Sequence, residues 1–363
     1  MFKWGIIGVG QVSKAFVVGV NASGPNVSVF SVYSRRLEAS YDFAEEFNIC
    51  HVAESVEQLC KSGVDAVYIA TPPKYHEEFA LVCISFNLHV LIEKPFATNS
   101  SGAQRIITAA RSKGVFCMEG LWTRFLPLIS EIKSLVKNGT IGEIKSFRGE
   151  FMAANVPDLK VSQFDPSKGG GALMYRGVYP LSLAQYFLGS IESFKSVVNV
   201  GDTGVDEDCA LSLRHSSGAI SSIRASLRVN GRNDFEINGT LGRINIKGPI
   251  IRPNVAFLTL YSPRQGRASN KAGKLDAFRS SILVQNIKQT VDHLLFRNVT
   301  YGEKPLIRKY YGNGFVHEIQ EFIASVNSGQ LESEIMPLND TLEIVKLMED
   351  LTNEWRTGVT LND

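Results

Sequence analysis

The chain has 363 residues, 44% of them hydrophobic and 20% charged, with a formal net charge of +2. That length accommodates two domains with cores of their own, and the near-neutral balance gives no drive toward nucleic acid or an anionic membrane. No apolar run approaches the roughly 20 residues of a membrane span, and the start does not read as a signal peptide, because Lys3 leads into a short strand broken by Gly8 and Gly10. Cys50, Cys60, Cys83, Cys117 and Cys209 are widely spaced and the histidines are scattered. The expectation is therefore reduced thiols in the cytoplasm and no metal site.

Along residues 1–121 short apolar runs alternate with amphipathic ones. Strands are expected at residues 2–7, 27–33, 66–70, 89–92 and 115–118, and helices at 11–20, 37–47, 55–61, 74–86 and 100–113. Nearly continuous apolar strands separated by helices imply a parallel sheet covered on both faces. Right-handed crossovers then give a doubly wound α/β fold with its crevice at the carboxyl ends of the strands.

The character changes over residues 122–363. Helices are expected at 128–137 and 172–187, the second after the run Gly169-Gly170-Gly171, and two more close the chain at 314–328 and 339–356. Strands are expected at 144–151, 194–200, 209–214, 219–229, 234–238 and 243–246, the later ones as an antiparallel meander with hairpin-type turns. The segment 263–274, rich in Gly, Ser, Lys and Arg, reads as an exposed loop. Residues 122–363 thus form an α+β domain beside the first.

The residues with chemical content sit mostly at strand ends. Gly8-Val9-Gly10 turns from the first strand into a helix, a geometry that brings backbone close to a dinucleotide pyrophosphate, with amide donors at Gln11 and Val12. Ser13, small enough for helix–strand packing, stands where a third glycine is usual. After the second strand an NAD site wants an acid for the ribose 2′-hydroxyl; the chain has Ser34-Arg35-Arg36, suited to the 2′-phosphate of NADP, with NAD the alternative. Thr71-Pro72-Pro73 and His76 follow the 66–70 strand where the dinucleotide should cross. Glu93 and Lys94 follow the next strand, and Pro95 keeps Lys94 out of the helical region. A lysine in a partly dry cleft beside a cationic nicotinamide has a lowered pKa, which suits acid–base work.

These motifs resemble the family of glucose–fructose oxidoreductase and inositol dehydrogenase, and most of all its branch of dimeric dihydrodiol dehydrogenase and NADP-dependent xylose dehydrogenase. The resemblance rests on GIIGVGQVS, IATPPKYH, VLIEKPFA, MEGLWTRFLP, GTIGEIKSFRGEF, GGGALMYRGVYPLSLAQYFLG and INGTLGRINI, in family order over nearly the whole chain. It implies a Rossmann domain followed by a large, mostly antiparallel open sheet whose outer face joins copies into a homodimer or homotetramer. It also implies that Lys94 is the catalytic lysine and Tyr179 the proton-handling partner. The family's aspartate falls on Tyr175, a departure, and Arg176 puts a charge where relatives are apolar, which fits a different, anionic substrate or impaired catalysis. Trp122 and Arg124 fall beside the cofactor, and Phe125, Arg148 and Phe151 at substrate positions.

The sequence therefore reads as an NADP-dependent oxidoreductase passing hydride between nicotinamide and a small-molecule sugar, polyol or cyclic diol. Its rival is a dinucleotide-binding regulator or sensor without turnover, which the lost aspartate favours.

Overall fold

Six short strands form the first sheet of the computed structural model, which describes residues 1–261 and 302–357. They are β1 (Phe2–Ile7), β2 (Val27–Tyr33), β3 (His51–Val52), β4 (Ala66–Ile69), β5 (His89–Glu93) and β6 (Cys117–Gly120), all parallel, in the order β3-β2-β1-β4-β5-β6. Val67 to Ile69 and Val90 to Ile92 are fully buried, because helices cover both faces: α1 (Gln11–Ala22), α2 (Leu37–Phe47), α3 (Val56–Cys60), α4 (His76–Ser85) and α5 (Ser100–Lys113). The chain winds outward one way through β2 and β3 and the other way through β4 to β6. The order reverses between β1 and β4, so the crevice lies at the carboxyl ends of those two strands.

The second half contributes α6 (Pro127–Lys137), β7 (Ile144–Met152), α7 (Val178–Leu188), β8 (Ile191–Val200), β9 (Asp206–His215), β10 (Ile220–Ser226), β11 (Phe235–Gly239), β12 (Gly242–Ile246), β13 (Val255–Leu260), β14 (Glu303–Ile307), α8 (Phe315–Asn327) and α9 (Leu338–Thr357). The eight strands are ordered β14-β13-β12-β11-β7-β10-β9-β8. Every pairing is antiparallel except β7 with β10. The expected simple meander is thus interrupted: β7, formed well before the others, enters the middle of the sheet. The expected loop over residues 263–274 lies outside the described residues.

Side chains alternate across this sheet as the pleat requires. Phe147, Gly149 and Phe151 face α7, and a Cβ on Gly149 would stand 3.1 Å from Pro180. Cys209, Leu211, Leu213, Ile223 and Ala225 share that buried face, whereas Arg214 and Arg224 face outward.

The closing helices return to the first sheet. Asn313 Nδ2, just before α8, donates to the Ala15 carbonyl of α1 at 2.6 Å, and Phe322 packs on Trp4 with ring centroids 4.7 Å apart. From α9, Thr341 Oγ1 donates to Glu119 Oε2 in β6 at 3.1 Å. Rings buried this completely contribute roughly 2–3 kcal/mol each, and they hold the two halves about the crevice.

Candidate active site

The turn after β1 is built for close backbone approach. Gly8 has φ +102°, and a Cβ there would lie 2.6 Å from the Ala70 carbonyl oxygen of the neighbouring strand end. Ser13, fully buried, donates from Oγ to the Gly8 carbonyl at 2.8 Å, so its hydroxyl closes the turn that a third glycine would only leave room for. Gly10 caps α1 with no side-chain hydrogen bond, the first turn of α1 carries no acid, and a Cβ on Gly10 would meet nothing within 4 Å. Free amides, the positive end of the helix dipole and open space in front of them make an anion site.

That turn forms part of a cleft of about 770 Å³. Gly8, Gly10 and Val12 line it from β1 and α1; Ser34, Arg35 and Arg36 from the end of β2; Thr71, Pro72 and Pro73 from the end of β4; Glu93, Lys94 and Tyr175 from its far side. The Arg35 guanidinium lies over the Tyr75 ring, 4.0 Å from its centroid, which orients it without an acid partner. Ser34 Oγ donates to the Arg36 carbonyl at 2.8 Å and shapes the loop. Among the described residues the Thr71 hydroxyl has no hydrogen-bond partner. Arg35 and Lys94 follow β2 and β5, three strand spacings or roughly 14 Å apart, a span suited to an extended dinucleotide.

Lys94 is half-buried, with its backbone N–H donating to Glu93 Oε2 at 3.1 Å and a cis peptide bond to Pro95. Burial lowers its pKa to about 8; the Glu93 carboxylate opposes that and the Arg176 cation adds to it. Glu93 is buried and accepts from Tyr68 Oη at 2.6 Å, and desolvation pushes its carboxyl up despite Lys94. Tyr68 went unnoticed in the sequence. Its signal was a phenol within a strand otherwise wholly apolar, since a buried tyrosine needs a partner for its hydroxyl.

The opposite wall is a widened helical turn. The segment Leu173–Gly177 is π-helical and runs into α7, where one regular helix was expected. Asp206 anchors it: Oδ2 accepts from the Leu173 N–H at 2.7 Å, while a Cβ on Gly171, at φ +131°, would lie 2.0 Å from Oδ1. Burial raises the Asp206 carboxyl to about 7 against the backbone donors that lower it. The turn and the start of α7 deliver Tyr175, Arg176 and Tyr179 to Lys94. Lys94 Nζ donates to the Tyr175 carbonyl at 3.4 Å and stands 5.1 Å and 5.2 Å from the ring centroids of Tyr175 and Tyr179. Burial first, then Glu93, raises the Tyr179 phenol far above its ordinary value. Phe151 meets Tyr179 edge-on at 5.5 Å, and the Arg176 guanidinium lies 4.6 Å from the centroid of Phe151.

Other expected residues land elsewhere. Arg124 does not open on the cleft: it is fully buried, donating to Ser182 Oγ and carbonyl, Gln185 Oε1, the Ile335 carbonyl and Asp340 Oδ2 at 2.7–3.2 Å, so it joins α7 to α9. Arg148 pairs with Asp234 at 2.9 Å on the sheet face opposite Phe151, because residues three apart in a strand point opposite ways. Phe125 is buried in the core. Trp122 packs on Phe315 at 4.5 Å and, like Tyr179, is not among the cleft-lining residues, but its side chain stands beside the Tyr179 phenol and so stays next to the proposed reacting groups. His76 is fully buried with Nδ1 2.9 Å from the Pro95 carbonyl and Nε2 2.8 Å from that of Thr71. Burial lowers it to about 4, so a neutral ring donates to one of the two and spaces the loops that carry Pro72 and Lys94. Gln11 is exposed and outside the cleft lining. Among the described residues no group of three or more His, Cys, Asp or Glu is placed to hold a metal.

Comparison with known proteins agrees with this geometry. Residues 2–121 match the model of the oxidoreductase family with an NAD-binding Rossmann fold, and residues 129–245 match the GFO/IDH/MocA C-terminal domain. A trans-1,2-dihydrobenzene-1,2-diol dehydrogenase of Xenopus tropicalis is 29% identical over 99% of this chain and 98% of its own. The enzyme of that name from Mus musculus is 31% identical over 68% of this chain and 74% of its own. Among solved structures, levoglucosan dehydrogenase in complex with NADH and L-sorbose superimposes with a TM-score of 0.79 at 20% identity, covering 98% of this chain and 97% of that one. KijD10, a 3-ketoreductase from Actinomadura kijaniata in complex with NADP and TDP-benzene, does so with a TM-score of 0.76 at 23% identity and the same coverage. The chain thus belongs to the GFO/IDH/MocA family of oxidoreductases, and its residues 2–121 are that family's NAD-binding Rossmann fold.

Proposed function

We propose that the protein is an NADP-dependent dehydrogenase acting on a CH–OH carbon of a sugar, polyol or cyclic diol. The observation that carries this reading is the meeting of Lys94 with Tyr179, 5.2 Å from amine to ring centroid, beyond a cleft that begins at the glycine turn. The names of the relatives, diol and sugar dehydrogenases among them, support the substrate class. The bound cofactor supplies or accepts the hydride; the chain's own residues do the rest. The amides after Gly8 and Gly10 hold the pyrophosphate and Arg35 and Arg36 the 2′-phosphate. Lys94, with its pKa lowered to about 8, exchanges a proton at the substrate oxygen and stabilises charge developing there. Tyr179 hydrogen-bonds the same oxygen, and Tyr175 closes the wall behind Lys94.

The preference for NADP is tested by titrating NADPH and NADH into the protein and into Arg35→Ala and Arg36→Ala. The expected result is tighter NADPH binding by the wild type and a loss of about 10-fold or more for NADPH alone in each variant. Equal binding of both cofactors, unmoved by the substitutions, would contradict it. The same reading has residues 1–121 as the cofactor half and 122–363 as the substrate half, with a second copy joined through the outer face of the larger sheet. The cytoplasm is the proposed compartment: Cys60 and Cys83, with Sγ atoms 3.8 Å apart, are both free thiols. Among the described residues no helix is long and apolar enough to cross a membrane.

A further inference from the structure

The half-buried and buried arginines after residue 121 mostly have an acid: Arg124 has Asp340, Arg148 has Asp234 and Arg243 has Glu303. Arg176 does not. Among the described residues no carboxylate lies within ion-pair distance of it, and its Nε is buried without a hydrogen-bond partner. A guanidinium partly withdrawn from water gains nothing in return unless something supplies the missing oxygens. The Phe151 ring beneath it, 4.6 Å from guanidinium carbon to centroid, fixes its plane. Phe151 touches Tyr179 and Tyr179 touches Lys94, so the unpaired cation is two ring contacts from the proposed reacting centre. Arg252, also with an unpartnered Nε, lies 5.7 Å from the ring of Trp122. The 2′-phosphate is not the missing partner, because Arg35 and Arg36 follow β2, three strand spacings or roughly 14 Å from Lys94, the amine whose field Arg176 shares.

We propose that the substrate carries an oxyanion on its skeleton beyond the reacting carbon, and that Arg176 binds it through the planar fork that matches such groups. This rests on the oxidoreductase reading and narrows its substrate class to acidic sugar derivatives or hydroxy acids, with a carboxylate or a phosphate as the anion. Lys94 beside it adds positive field, which an uncharged sugar leaves unanswered and an anion answers.

The test uses NADPH-loaded or NADP-loaded protein with matched compounds: glucose, glucuronate and glucose 6-phosphate, and their oxidised counterparts. The expected result is a kcat/KM for one acidic member about 10²-fold above that for glucose. Arg176→Leu should remove that advantage, bringing the kcat/KM ratio of acid to glucose down to about one, while Arg176→Lys restores part of it. Preference for glucuronate assigns a carboxylate and for glucose 6-phosphate a phosphate. Glucose used as well as both acids, or an equal loss on all three in a variant of unaltered melting temperature, would overturn the proposal. If none of the three is turned over, calorimetry on the loaded protein decides the anion site. Binding of an acid but not of glucose, abolished in Arg176→Leu, sustains the site; no discrimination overturns it.

Discussion

The Lys94 ammonium donates to the main-chain carbonyl of Tyr175 at 3.4 Å. A neutral acceptor thus stands where the resemblance leads one to expect a carboxylate, and Glu93, bonded to Tyr68 and to the Lys94 N–H, is the acid that offsets the burial of the amine. With its pKa lowered to about 8, Lys94 is largely protonated at neutral pH yet able to give its proton up.

A pH dependence follows directly. Carbonyl reduction needs protonated Lys94, so kcat/KM should be flat on the acid side and fall as pH rises through about 8; alcohol oxidation should rise through the same value. Tyr175→Asp places an anion beside the ammonium, which favours the charged form and moves the inflection up by about one unit. An inflection that stays put or moves down would show that the two groups are not coupled.

Arg124 separates structural from cofactor roles. Removing a buried guanidinium with this many partners, as in Arg124→Met, should cost about 3 kcal/mol or more in chemical denaturation. The protein that remains folded should bind NADPH as the wild type does. Normal stability with weakened NADPH binding would return Arg124 to the cofactor site.

Asp206 ties stability to pH. Its folded-state value of about 7 lies above that of an exposed aspartate, so the native state holds the proton more tightly. Its contribution is complete at low pH and is lost as pH rises from about 4 to 7, with a slope of up to about 1.4 kcal/mol per pH unit. Asp206→Asn should flatten that part of the stability–pH curve. Gly171→Ala, whose Cβ would press on the same carboxylate, should destabilise by about 2 kcal/mol or more and lower turnover, because the π turn carries Tyr175 and leads into the start of α7 that carries Tyr179. An unchanged slope, or a neutral Gly171→Ala, would remove Asp206 as the anchor of that turn.

Residues 1–121 were largely legible because their strands are short, mostly apolar runs: Phe2–Ile7 and Val27–Tyr33, interrupted only by Lys3, Gly5, Ser28 and Ser31, fall where the pattern puts them. Strand Cys117–Gly120 was read two residues early because Glu119, buried and bonded to the Phe96 N–H and Thr341, looks in sequence like the end of a strand. In the second half the insertion of β7 beside β10 is a long-range pairing with no local signal. The edge strand Glu303–Ile307 carries Glu, Lys and Pro, the residues that protect edges and disguise strands. In the site, residues at strand ends were legible, since glycine turns and strand-end cations have fixed geometric uses. Arg124 and Arg148 were misjudged because a sequence does not display the acids that meet them. The π turn was invisible because one inserted residue leaves the apolar pattern nearly unchanged.

The most direct measurement is single-turnover reduction of a carbonyl substrate by NADPH-loaded Lys94→Met and Tyr179→Phe, with NADPH affinity measured on the same samples. The account predicts wild-type affinity with hydride transfer slowed by about 10²–10⁴-fold in Lys94→Met and about 10²-fold in Tyr179→Phe. Transfer at the wild-type rate in both, or a loss explained entirely by weaker NADPH binding, would contradict it.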